Sequence, residues 1–250
     1  MGAHRWLVIL LGLALSSCQA SRQAPAATPA ATPRPAPQPT PAAALPNDIK
    51  WVQRSAEYYA AILDTYRSAT ARVEQQSASR KSGTWAVVLD ADETIISNLQ
   101  YQIERVGQGY SAESWAAWVH RKEATPLPGA AAFLGRVRQL GGRIAIVTNR
   151  LESECEDTRA VFRMHHLPFD AMLCRDDKGP SDKNPRFESV ALGKTPAGST
   201  PLAVVAFVGD NILDFPGLTQ AIRQGTEGGF SEFGVRFFLV PNPMYGSWER

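Results

Sequence analysis

The sequence predicts an α/β protein, a largely parallel sheet flanked by helices. Short continuous apolar runs recur along the chain, as expected of strands buried on both faces. They alternate with stretches of three- and four-residue apolar periodicity, the pattern of amphipathic helices. The runs end in Asp90, Thr148 and Asp210. Ligands bind such sheets just beyond the carboxyl ends of the strands, so these polar residues are expected to converge on one edge.

Two segments precede the sheet. Arg5 is followed by an apolar run from Trp6 to Leu15, too short to cross a bilayer, which takes about 20 residues. A basic start and a short apolar run read as a secretory signal over residues 1–17. The run closes in Leu15-Ser16-Ser17-Cys18, which resembles the bacterial lipobox. That resemblance implies cleavage before Cys18, lipidation of its sulfur and an extracytoplasmic protein held to a membrane. Gln19 rather than Asp follows, which implies the outer membrane in a cell that has two. From Ala24 to Pro46 the chain is mostly Pro and Ala. Such a stretch has little to bury and favours extended polyproline II, so residues 18–46 read as a semi-rigid tether.

The folded part is expected over residues 47–250. Ile49, Val52, Ala56, Tyr59, Leu63, Tyr66 and Val73 recur at helical steps and predict one long helix over 48–80. Asn47 or Asp48 is placed to cap it, and Ser82-Gly83 to end it. Strands are predicted at Trp85–Leu89, Ile144–Val147, Phe169–Leu173, Ala203–Val208 and Val235–Val240, with helices at Gly129–Leu140 and Glu152–His165.

Composition narrows the function classes. Lys and Arg number 26 against 24 Asp and Glu, for a net charge of +2. That balance argues against a nucleic-acid binder, which carries a concentrated basic face. Three cysteines are too few for a disulfide scaffold. Cys155 opens a predicted helix and Cys174 ends a predicted strand; two unpaired thiols are expected, with a disulfide between them as the alternative. Gly193-Lys-Thr195 resembles the end of a P-loop, but Glu188 stands where its first glycine is needed. His165 and His166 are adjacent, so they cannot share a helix face as ligands and read as solvated helix positions.

The informative segment is Val87-Val-Leu-Asp90-Ala-Asp92-Glu-Thr94. Two carboxylates this close repel unless a cation or a shared proton lies between them. A second acidic group, Gly209-Asp210-Asn211-Ile-Leu-Asp214, follows another strand. Together they offer the hard oxygen ligands that Mg²⁺ prefers. The Thr148 hydroxyl and a lysine, Lys183 or Lys178, suit a phosphate.

Taken in order, Asp90-x-Asp92-x-Thr94, Thr148-Asn149-Arg150, Lys183 and Gly209-Asp210-x-x-x-Asp214 resemble the four motifs of the haloacid dehalogenase (HAD) superfamily. Ser55-Ala-Glu-Tyr58, Trp115-x-x-Trp118-Val and Pro241-Asn-Pro-Met-Tyr245-Gly-Ser-Trp248-Glu narrow the resemblance to the class C bacterial acid phosphatases, a lipoprotein 5′-nucleotidase group. It covers about Trp51 to Arg250. It implies a Rossmann-like sheet with a small, mainly helical cap at about 95–127, completed by the N-terminal helix. It further implies Asp90 as nucleophile and Asp92 as general acid and base. Thr148, Asn149 and Lys183 would bind phosphate. Mg²⁺ would lie between the carboxylates of Asp90 and Asp210 and the backbone carbonyl of Asp92, with Asp214 in support. Lys183 lies three residues before Arg186-Phe187, the family's spacing, and Pro185 is expected to disfavour helical geometry at Asn184. Trp115 and Tyr245 would sandwich a substrate ring. The substrates implied are small phosphomonoesters, nucleoside 5′-monophosphates first among them. Relatives continue beyond the Tyr-Gly-x-Trp-Glu segment, which leaves a homodimer open. A binding lipoprotein that kept the fold and lost activity is the alternative reading, as is a phosphatase of non-nucleotide esters. Against the first, the acidic motifs are intact.

Overall fold

The computed structural model of the chain describes residues 44–196, 198 and 200–249. Five parallel strands form the main sheet: β1 (Trp85–Leu89), β4 (Arg143–Leu151), β5 (Ala171–Arg175), β6 (Ala203–Gly209) and β7 (Phe237–Leu239), in the order β5-β4-β1-β6-β7. The α/β class therefore holds. Every side chain of β1 is buried, which is why the strand reads as an unbroken apolar run rather than an alternating one. Its residues still divide with period two. Trp85, Val87 and Leu89 enter the larger core on one face, and Ala86 and Val88 enter a smaller core with Phe187, Phe207 and Phe215 on the other.

The predicted N-terminal helix is two helices, α1 (Asn47–Arg54) and α2 (Ala56–Ser77). Ser55 is extended, with φ −83° and ψ 136°. Its N–H closes α1 on the Trp51 carbonyl at 3.0 Å, and its Oγ accepts from the Tyr58 N–H at 3.0 Å to open α2. One serine thus ends one helix and caps the next, and an unbroken periodicity does not reveal that. The start of α1 has Pro46 at its cap position, without the side-chain bond expected from Asn47 or Asp48. In α2, Tyr58, Ile62, Tyr66, Ala69 and Val73 form the buried stripe, which packs on α5 (Ala130–Gln139) and on β6 and β7.

Between β1 and α5 the chain makes a helical excursion of α3 (Leu99–Glu104) and α4 (Ala112–Arg121). It is closed at its base by the two-stranded pair β2 (Ile96–Ser97) and β3 (Thr125–Pro126). Helix α6 (Cys155–Met164) follows a 3₁₀ turn after β4, and α7 (Asn184–Ala191) lies between β5 and β6. His165 ends α6 and is half-buried, with Nε2 3.1 Å from the Ala124 carbonyl, so it is not a solvated helix position. Asn184 is helical despite Pro185, because a proline in the first turn lacks only an N–H that the helix could not use.

Cys155 and Cys174 are joined by a disulfide, which corrects the expectation of two unpaired thiols. The pairing of β4 with β5 brings the start of α6 beside the end of β5, placing the two Cα atoms 6.1 Å apart. Among the described residues no helix is long and apolar enough to cross a membrane. Residues 1–43, with the predicted signal, Cys18 and most of the tether, lie outside the described residues.

Candidate active site

Register builds the site. Leu89 of β1 pairs with Val208 of β6 and with Ile146 of β4. One or two residues further on, the three strands deliver Asp90, Asp210 and Thr148 to a single edge. The Asp90 N–H prolongs the pairing by donating to the Val208 carbonyl at 3.0 Å. Gly209 is required there: a Cβ would lie 2.2 Å from the Asp214 Cβ, so only glycine lets Asp214 fold back under the strand end.

Asp90, Asp210 and Asp214 each turn a carboxylate oxygen inward, and these oxygens lie within 4.8 Å of one another. Lys183 reaches them from the start of α7. Its Nζ donates to Asp90 Oδ1 at 2.6 Å and to Asp214 Oδ1 at 2.6 Å, with the side chain 4% exposed. Lys178, the other lysine considered, stands exposed in the preceding turn. Asp214 Oδ2 accepts from the Asn211 N–H at 2.9 Å. Asp210 accepts from the Thr94 hydroxyl at 3.1 Å and from Asn242 Nδ2 at 2.8 Å.

The charges in this cluster do not balance. Burial, only partly relieved by Lys183, pushes the Asp90 carboxyl up to about 7. Burial, with Asp214 and Asp90 nearby, raises Asp210 well above the usual carboxylate range. Burial alone would lower Lys183, but Asp214 and Asp90 outweigh it and hold the ammonium charged. Three carboxylates against one ammonium leave an excess of negative charge, and their hard oxygens suit a divalent cation.

Asp92 faces elsewhere. Its carboxylate is gripped by Arg150, with Nη2 at 2.7 Å and Nε at 3.0 Å from Oδ1, and by Asn98 Nδ2 at 2.8 Å. Its side chain thus stands apart from the acidic trio. Glu93, fully buried, adopts a left-handed φ of 49°, an uncommon conformation for a residue with a side chain. Its carboxylate accepts from the Asn98 N–H at 2.6 Å, from Asn98 Nδ2 at 3.1 Å and from the Tyr245 hydroxyl. Burial, then the charge of Asp92, pushes this carboxyl up to about 8.

The predicted phosphate residues Thr148 and Asn149 lie inside the third strand, β4, past its last pairing with β1 at Ile146. Thr148 is buried, and its Oγ1 accepts from the Arg150 N–H at 3.2 Å. Asn149 Oδ1 accepts from Arg186 Nη2 at 2.6 Å, and Arg186 also donates to the Thr148 carbonyl. Trp115 is half-buried on α4, edge-on to Tyr101 at 5.2 Å between ring centroids, with the Arg150 guanidinium 5.4 Å from its ring centre. Trp115 therefore meets the site through Arg150, and Tyr245 meets it through Glu93.

Sequence reasoning did not assign roles to Asn98, Trp118, Glu93, Arg186 or Thr158. For Glu93 a signal existed: an acidic residue inside a tight run of acidic and hydroxyl residues. For Asn98 none did, since what fixes its amide beside the nearby Asp92 and Glu93 is Arg150 and Trp118, remote in the chain.

The model of the HAD superfamily, subfamily IIIB (acid phosphatase), matches residues 10–248. The structure resembles the class C acid phosphatase from Bacillus anthracis, at 28% identity and a TM-score of 0.72 over 81% of this chain and 85% of that one. The same Bacillus anthracis enzyme with tungstate bound matches with the same values. Together with the acidic strand ends, this match shows that the chain belongs to the HAD subfamily IIIB acid phosphatases and is a phosphoric monoester hydrolase.

Proposed function

We propose that the protein is a Mg²⁺-dependent acid phosphatase acting on nucleoside 5′-monophosphates outside the cytoplasm, held to a membrane by lipid on Cys18. The observation that carries the catalytic part is the division of labour between two aspartates. Asp90 lies in the acidic trio against Lys183, while Asp92, two residues on, is turned away and held by Arg150 and Asn98. A nucleophile needs a phosphoryl group neutralised beside it; an acid needs to reach the leaving oxygen.

Asp90 attacks phosphorus and forms an aspartyl phosphate as the bond to the leaving oxygen breaks, with Asp92 protonating that oxygen. Asp92 then takes a proton from the water that cleaves the intermediate. Thr148, Asn149 and Lys183 hold the phosphoryl oxygens; Arg186 fixes Asn149 and the Thr148 backbone. Asp90, Asp210, Asp214 and the Asp92 carbonyl would hold Mg²⁺, which supplies positive charge against the phosphoryl oxygens. The tungstate on the Bacillus anthracis enzyme supports the same kind of oxyanion site.

Nucleotide preference is inferred from Trp115 and Tyr245, anchored on the two residues that hold Asp92 and flank it. Arg150 lies over the Trp115 ring, and stacking of a base on an aromatic ring contributes about 1–3 kcal/mol. The lipobox-like Leu15–Cys18 and the Pro/Ala-rich tether support the location.

The test is a panel of phosphate esters, with and without chelator, on wild type, Trp115→Ala and Tyr245→Ala. Chelation should abolish turnover and Mg²⁺ restore it. Each aromatic variant should lose nucleoside monophosphates selectively and keep a small aliphatic phosphate. Equal loss on both ester types would overturn the nucleotide reading, and turnover that survives chelation would overturn the metal requirement.

A further inference from the structure

We propose that Arg150 and Asn98 are positioning residues for the general acid: they saturate Asp92 Oδ1 and so assign the transferred proton to Asp92 Oδ2. This rests on Asp92 acting as the general acid. Oδ1 accepts from Arg150 Nη2 at 2.7 Å, Arg150 Nε at 3.0 Å and Asn98 Nδ2 at 2.8 Å. Oδ2 receives only a longer contact from Arg150 Nε, at 3.2 Å. A guanidinium has donors and no acceptor. A proton on Oδ1 would therefore point at other protons, whereas on Oδ2 it displaces one weak contact and leaves the bonds at Oδ1 in place.

The orientation of Asn98 is fixed by the same logic. Its Oδ1 accepts from Trp118 Nε1 at 2.8 Å and from Arg150 Nη2 at 3.1 Å. Both partners can only donate, so the amide cannot be flipped, and Nδ2 must face the carboxylates. Arg150 is locked in turn: Nη1 donates to Thr158 Oγ1 at 3.2 Å, and its side chain is 1% exposed. Thr158 is itself fixed by donating to the Glu154 carbonyl at 3.0 Å. The frame runs from α6 through Arg150 to Asp92 without a freely rotating member.

The proton then follows a defined path. As the bond from phosphorus to the leaving oxygen breaks, its electron pair stays on that oxygen, which takes the proton from Asp92 Oδ2. Asp92 is left as a carboxylate, and Oδ2 again accepts from Arg150 Nε. In the second half, water bonds to phosphorus and gives its proton to Oδ2. The Asp90–phosphorus bond breaks, and its electrons return to Asp90.

A framing role predicts dependence on the leaving group, which a merely structural role does not. Arg150→Lys keeps the charge and loses the fork; Asn98→Ala removes one bond to Oδ1. Both are compared with wild type and Asp92→Asn on ethyl phosphate, whose leaving group needs a proton, and on 4-nitrophenyl phosphate, whose leaving group does not. Neither substrate depends on nucleotide stacking. General acid catalysis is worth about 10²–10⁴-fold. On ethyl phosphate kcat/KM should fall by about 10²-fold in each variant, and on 4-nitrophenyl phosphate by less than about tenfold. Equal loss on both esters in Arg150→Lys and Asn98→Ala, with selective loss in Asp92→Asn, overturns the proposal alone. Equal loss in Asp92→Asn overturns the general-acid reading and the proposal with it. Calorimetry checks folding, and if Arg150→Lys does not fold, Asn98→Ala decides.

Discussion

Lys183→Met should move stability and cation affinity in opposite directions. The ammonium sits 2.6 Å from Asp90 Oδ1 and 2.6 Å from Asp214 Oδ1. Both carboxylates are largely buried, with side chains 11% and 4% exposed. Methionine matches the length of the stem and removes the charge, so two buried carboxylates lose their shared counter-ion. Breaking a buried pair from one side costs about 3–5 kcal/mol. In a domain of about 200 residues each kcal/mol moves Tm by about 2–4 °C. The metal-free variant should therefore melt about 6–20 °C below the metal-free wild type. A divalent cation, by contrast, competes with Lys183 for the same carboxylates and is repelled by it. Two unit charges 4 Å apart at an effective dielectric of 20 interact by about 4 kcal/mol. Even a third of that makes Mg²⁺ binding about tenfold tighter in Lys183→Met, while turnover falls because the phosphoryl group loses a cationic partner. Scanning calorimetry in chelator gives the first quantity and isothermal titration with Mg²⁺ the second. Weaker Mg²⁺ binding, or an unchanged Tm in chelator, would refute the assignment of Lys183 as the counter-ion of Asp90 and Asp214.

Two further outcomes follow from the same chemistry. In the metal-free protein Asp90 is held at about 7 against an ordinary 3.8, and Glu93 at about 8 against 4.5. The folded state then keeps protons that the unfolded chain releases, so stability falls as pH rises through these windows. The melting temperature in chelator should drop between pH 5 and 8, and drop less in Glu93→Gln; a flat or rising profile counts against it. Replacing Cys155 by Ala and Cys174 by Ser opens a link across a sequence separation of 19. The chain-entropy model puts that at about 3 kcal/mol, so Tm should fall by about 6–12 °C, and an unchanged Tm would show that the link does not constrain the unfolded chain.

By itself the sequence determined the element types and the polar residues that close the apolar runs. Five apolar runs specify buried strands because each needs only local periodicity, and Asp90, Thr148 and Asp210 follow three of them directly. The tertiary structure decided the partners. Register across β1, β4 and β6 makes one site from three strands. Lys183 rather than Lys178 meets Asp90 across a separation of 93 residues, and the Arg150 guanidinium meets the Asp92 side chain across 58. The disulfide and the break at Ser55 belong with these. Local pattern encodes which face a residue turns to the core, whereas a hydrogen-bond partner is set by packing. Two lysines five residues apart in one loop look alike until α7 is docked and only one reaches the buried carboxylates.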